Sequence, residues 1–155
     1  MRKVAGWLCI GIILAWAGAF LVMKTVHDRV TQNLVSVADE FVVPSDWTLI
    51  AENIETEKLI CLNGNPCPSL HRRWQANEQL AEIHLHLLAA TAGWDFSLDR
   101  DCVRHENVFG STTLCSATGS RDGYDYIFRI NSPEPGADST LILNVQPARV
   151  ALDAR

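Results

Sequence analysis

From Val4 to Met23 the chain has no charged side chain, and Arg2 and Lys3 stand directly before this run. At about 1.5 Å of rise per residue, a helix of that length covers the roughly 30 Å hydrocarbon core of a bilayer. Residues 1–23 are therefore expected to form a short cytoplasmic tip and a transmembrane signal anchor. Arg2, Lys3, the apolar stretch and Ala17-Gly18-Ala19 also match a cleavable signal peptide. Phe20 to Met23 continues the apolar run past that cleavage point, which favours an uncleaved anchor. Gly11, Ala15 and Ala19 recur every fourth residue and give one helical face small enough for a second helix to approach, a homodimer seam. Val26, Val30, Leu34, Val37 and Phe41 then mark a juxtamembrane amphipathic helix over residues 24–43, which Pro44 prevents from continuing.

Residues 44–147 hold enough sequence for one core. Trp47 to Ile50 and Leu59 to Leu62 read as strands separated by the charged stretch Glu52 to Lys58, and Asn63-Gly64-Asn65-Pro66 reads as a turn. A helix is expected from a cap at Asn77 to a stop at Gly93, with Leu80, Ile83, Leu87, Leu88 and Thr91 on one face. Leu85 and three alanines widen its apolar arc, so it is either buried on more than one side or meets a partner. Trp94 to Leu98, Thr112 to Ala117, Tyr124 to Ile130 and Thr140 to Val145 follow as strands, with Gly119 to Gly123 joining the middle pair. The expected architecture is α+β, one main helix on a mostly antiparallel sheet. Residues 148–155 form a tail without a strong signal.

The cysteines add a compartment. Cys61, Cys67, Cys102 and Cys115 lie in this small domain, an even number that points to two disulfides and an oxidising environment. The amino terminus is then cytoplasmic and the domain extracytoplasmic, on a single-pass cell-membrane protein. Charge near the span does not decide this, because Lys24 and Arg29 balance Arg2 and Lys3. Four cysteines allow three connectivities, of which Cys61 with Cys67 and Cys102 with Cys115 each close a short polar loop. Zinc ligand pairs are spaced more tightly than these.

From Pro44 onward nine Lys or Arg stand against fifteen Asp or Glu, a formal net charge of −6, and the one basic cluster there, Arg72-Arg73, reads as a solvated edge. A nucleic-acid partner is excluded, since it would need Lys and Arg gathered on one face. Arginine outnumbers lysine and alanine and valine abound, which suggests a high-GC bacterial genome.

Candidate chemistry is thin. Glu82 and His86, four residues apart, can share one side of a helix, whereas His84 and His86 point about 200° apart and cannot hold one ion. No further metal ligand is specified, and His84 reads as a core histidine and His86 as a solvated one. The Asp99-Arg100-Asp101 and Asp122 to Asp125 clusters lack a calcium-loop pattern and suit turns. No cofactor motif or nucleophile elbow is present. Trp47, Trp74 and Trp94 read as core or interface anchors, with sugar stacking as the alternative.

The order Pro44…Trp47, Cys61…Cys67-Pro68, Arg73-Trp74, a leucine-rich helix, Gly93-Trp94, Cys102 and Cys115 resembles small membrane-anchored exported proteins of uncharacterised function in high-GC Gram-positive bacteria. The resemblance implies location and disulfides, and transfers no catalytic residue. The expectation is an interaction or structural module of the cell envelope, with the bilayer and unidentified envelope proteins as partners. The alternatives are a cell-wall hydrolase drawing on His71, His105, Asp99 and Asp101, or a binding domain for a small ligand or sugar.

Overall fold

The computed structural model describes residues 2–57, 68–105 and 107–148, with the backbone alone for residues 2–13 and His27. The expected strand at Leu59 to Leu62, the turn after it and the Cys61 with Cys67 pairing lie outside the described residues. The order is α1 (Arg2–Asp39), β1 (Thr48–Glu55), β2 (Ser69–Gln75), α2 (Glu82–Ala92), β3 (Ser97–Leu98), β4 (Thr112–Arg121), β5 (Tyr124–Ser132) and β6 (Thr140–Pro147). The strands form one fully antiparallel sheet in the order β1-β2-β6-β5-β4-β3.

Alternation at period two sets the sheet's faces. Leu70 and Trp74 of β2, Leu141, Leu143 and Val145 of β6, Tyr126, Phe128 and Ile130 of β5, and Cys115 and Ala117 of β4 are buried together. The reverse face is partly exposed and mixed, with His71, Arg73, Arg129, Asn131 and Asn144 beside Ile127 and Ile142. Asp122-Gly123 closes the β4–β5 hairpin with φ of 51° and 82°, the left-handed pair that a two-residue turn of this twist requires. That turn is tighter than the expected Gly119 to Gly123 connection, since Gly119 to Arg121 remain paired in β4.

The helix that covers the sheet is the end of α1, packed against β2 and β6. The segments expected as anchor and as amphipathic helix lie in one continuous α1. Of its expected stripe, Leu34 and Phe41 are buried, with Ala38 beside them, while Val26 is exposed. Phe41 seats against Trp94 and Phe128 with edge-on ring centroids 4.5 and 4.9 Å away, and Trp94 meets Tyr126 at 4.0 Å. Among the described residues no helix is long and apolar enough to cross a membrane. The side chains from Val4 to Ile13, half of the uncharged run, fall outside the described ones.

Four expectations need correction. β1 continues through Glu52 to Glu55 rather than stopping before them, because Glu52 faces Arg72 across the strand pair. Arg72 is not a solvated edge: its side chain is 13% exposed and bridges Asp39 at 2.7 Å and Glu52 at 2.5 Å, tying α1 to both strands. α2 starts at Glu82 behind Ala81, not after Asn77, whose side chain instead donates to the Asp46 carbonyl at 2.6 Å. Buried Ser139 accepts from the Leu80 N–H and donates its own N–H to the Glu78 carbonyl, so that backbone is not free to coil. Trp94 to Leu98 is paired only at Ser97–Leu98, with Trp94 turned into the aromatic core.

Candidate functional site

Gly93 stops α2 in the left-handed conformation, as expected, but the helix buries Leu85, Leu88 and Ala89. Ile83 and Leu87, placed by the sequence on the core face, are each 59% exposed. Leu87 and Leu88 line an apolar groove of about 250 Å³ with Val42, Val43, Pro44 and Trp47. His84 is not a fully buried core histidine. Its Nδ1 accepts from the Ala81 N–H at 3.0 Å, and Nε2 reaches Glu78 at 3.4 Å. Alanine has no side-chain acceptor, so His84 alone supplies the side-chain half of this helix cap. His86 is exposed, lies 3.2 Å from Glu82 and stacks on Phe96. Among the described residues no three His, Cys, Asp or Glu side chains gather to hold a metal.

The candidate catalytic groups do not assemble. His71 stands on β2, where its Nδ1 lies 2.7 Å from Asn144 Oδ1. β6, β5 and β4 separate β2, which carries His71, from β3, which Asp99 follows, so these two strands are four spacings apart, about 19 Å across the sheet. Asp99 is a structural acceptor: the Ser116 N–H donates to it at 2.6 Å, and this bond holds its carboxyl below the usual range, aided by Arg100. Asp101 and His105 are exposed.

The loop from Asp99 to Ser111, between β3 and β4, gathers the most features. Cys102 and Cys115 form a disulfide with 4.8 Å between their Cα atoms, tying the loop to β4. Two residues further on, Arg104 turns inward. Its Nη1 donates to the Ser132 carbonyl and hydroxyl, both at 3.0 Å, and its Nη2 donates to the carbonyls of Val108 at 2.9 Å and Gly110 at 2.6 Å. One guanidinium thus fixes the loop to β5 and to itself. At the tip Phe109 is 93% exposed, with Val103 also outward. Under the loop lies a cavity of about 450 Å³ walled by Arg104, the Cys102 side, α2's approach and the β5–β6 turn.

No spacing pattern in the sequence marks Arg104, because its partners are backbone carbonyls and one serine. The one signal it carries is its nearness to Cys102. Trp47, Trp74 and Trp94 are all buried, which leaves none of these rings as an open stacking platform for a sugar. In comparisons with protein-family models, curated proteins and solved structures, nothing matches this chain.

Proposed function

We propose that this protein is a single-span membrane protein whose extracytoplasmic α+β domain is an interaction module of the cell envelope, meeting its partner protein through the Asp99 to Ser111 loop. The observation that carries the reading is Phe109, almost fully exposed on a loop held by a disulfide and a four-bond arginine clamp. An aromatic side chain on a loop already fixed in place loses little further freedom on binding, the usual character of an interface anchor. A hydrolase reading lacks a comparable support, since His71 stands on β2 and Asp99 just beyond β3, at the far edge of the sheet. The membrane and compartment parts of the proposal rest on the uncharged run from Val4 to Met23 and on the cysteines.

The test is a Phe109→Cys variant of the full chain in intact cells. Labelling by a membrane-impermeant thiol reagent places the loop outside; protection from that reagent overturns the topology. A photocrosslinker at Ser111 is expected to give one discrete adduct that Phe109→Ala abolishes while thermal unfolding stays unchanged. An adduct insensitive to Phe109→Ala, or none at all, overturns the loop as the contact.

A further inference from the structure

α2 opens on a cap whose acceptor is a ring nitrogen that a proton can occupy. In a capping box the third helical residue is normally Glu or Gln, whose side-chain oxygen accepts the N–H of the residue before the helix. Here His84 fills that place, with Nδ1 3.0 Å from the Ala81 nitrogen. A backbone N–H can only donate, so Nδ1 is unprotonated in this arrangement. The neutral ring then carries its hydrogen on Nε2, 3.4 Å from Glu78 Oε1. The Ala81 carbonyl also lies 3.3 Å from Nδ1, but it is already taken by the His84 N–H at 3.1 Å.

A second proton makes both ring nitrogens donors. Nδ1–H and the Ala81 N–H would then face each other at hydrogen-bond distance, and alanine has no side chain to take over the cap. The surroundings decide where the charged ring goes. Glu78, in the segment before α2, is the carboxylate within ion-pair reach of it among the described residues. On α2 itself His86 can also take a proton, but it pairs with Glu82 at 3.2 Å on another side of the helix. Across the groove the ring meets Val42, Val43, Pro44 and Trp47. Of the carboxylates in that segment, Glu40 is directed at Trp94 and Arg121, and Asp46 makes no ion pair among the described residues. We propose that His84 is an acid-sensitive latch on α2. The neutral ring closes the first turn; the imidazolium turns to Glu78, releases the Ala81 N–H and loosens the turn whose Leu87 and Leu88 wall the apolar groove. Imidazole changes its charge between about pH 5 and 8, so the latch responds to mild acid. It acts on α2 and not on the presented loop, and so goes beyond the partner-binding reading.

The experiment follows the full ¹⁵N-labelled chain in detergent micelles by NMR from about pH 8 to about pH 5. The His84 ring nitrogens and the Ala81 amide are expected to move with one shared midpoint. The Leu85 to Leu88 amides bond the carbonyls of the first turn. Their exchange protection, corrected for the intrinsic effect of pH on exchange, is expected to fall about fivefold through that midpoint, the weight of one helix cap. His84→Gln keeps a cap acceptor and cannot titrate, so it is expected to stay protected across the range. His84→Ala is expected to show the lowered protection at every pH. An Ala81 amide that ignores the His84 midpoint, protection that holds or rises as His84 takes its proton, or a His84→Gln chain that keeps the full drop overturns the proposal. No partner protein enters the measurement, so its failure would leave the loop reading untouched.

Discussion

At the scale of single residues, Gly119 and Tyr126 face each other across β4 and β5, and a Cβ on Gly119 would overlap the tyrosine ring and the Asp95 carbonyl. Gly119→Ala is expected to cost about 1–3 kcal/mol, as overfilling a packed site does. Tyr126 Oη is buried without a partner among the described residues, so Tyr126→Phe is expected to be neutral or stabilising. Urea unfolding of both variants checks the pair. Asp99 gives a pH prediction. Its folded carboxyl is held below the usual range by the Ser116 N–H, so as pH falls the unfolded chain takes up this proton first. The contribution is complete above the ordinary carboxylate value and is lost as pH falls through the lowered folded value. Asp99→Asn is expected to flatten that part of the acid limb in urea midpoints measured below about pH 4. The candidate site is hidden from the sequence at this scale, because a clamp made of one arginine and neighbouring carbonyls leaves no periodic or spaced mark.

Among the elements, the Cys102–Cys115 cross-link carries the clearest expectation. Removing it by the paired Cys102→Ser and Cys115→Ser substitutions is expected to cost about 2–5 kcal/mol and to speed proteolysis between Asp99 and Ser111. Mass mapping of limited digests checks it; equal cleavage would mean that the arginine clamp suffices alone. The legibility of the strands differs for one physical reason. β5 and β6 alternate cleanly, so Tyr126, Phe128, Ile130, Leu141, Leu143 and Val145 are readable as core. β2 places Arg72 between Leu70 and Trp74 on the same face, and β1 sets Glu52 opposite it, which breaks the alternation in both. The ion pair that joins the strands disguises them. The start of α2 is masked for a similar reason: Asn77 has a cap's chemistry, but Asp46 claims its amide and Ser139 holds the backbone after it.

For the whole molecule, the decisive feature is that α1 runs unbroken from Arg2 to Asp39 and ends with Leu34 and Ala38 buried against the sheet. The domain therefore has no swivel where the helix enters it, and Arg72 on Asp39 fastens the join. Rotational phase is the consequence. Each added helical residue turns the chain beyond it by about 100° and lifts it by about 1.5 Å. The small-residue face at Gly11, Ala15 and Ala19 and the presented Phe109 are thus geared to each other through some twenty residues of helix. One alanine inserted after Met23 is expected to swing the domain by roughly a quarter turn relative to that face, whereas seven restore the phase to within about 20°. If the face pairs two copies, crosslinking between cysteines placed at exposed Asn33, five helical turns beyond Ala15, should fall with one inserted residue and return with seven. On the proposed single-span reading, such a protein would read the bilayer as a compass bearing, with the direction in which its loop points already chosen inside the membrane.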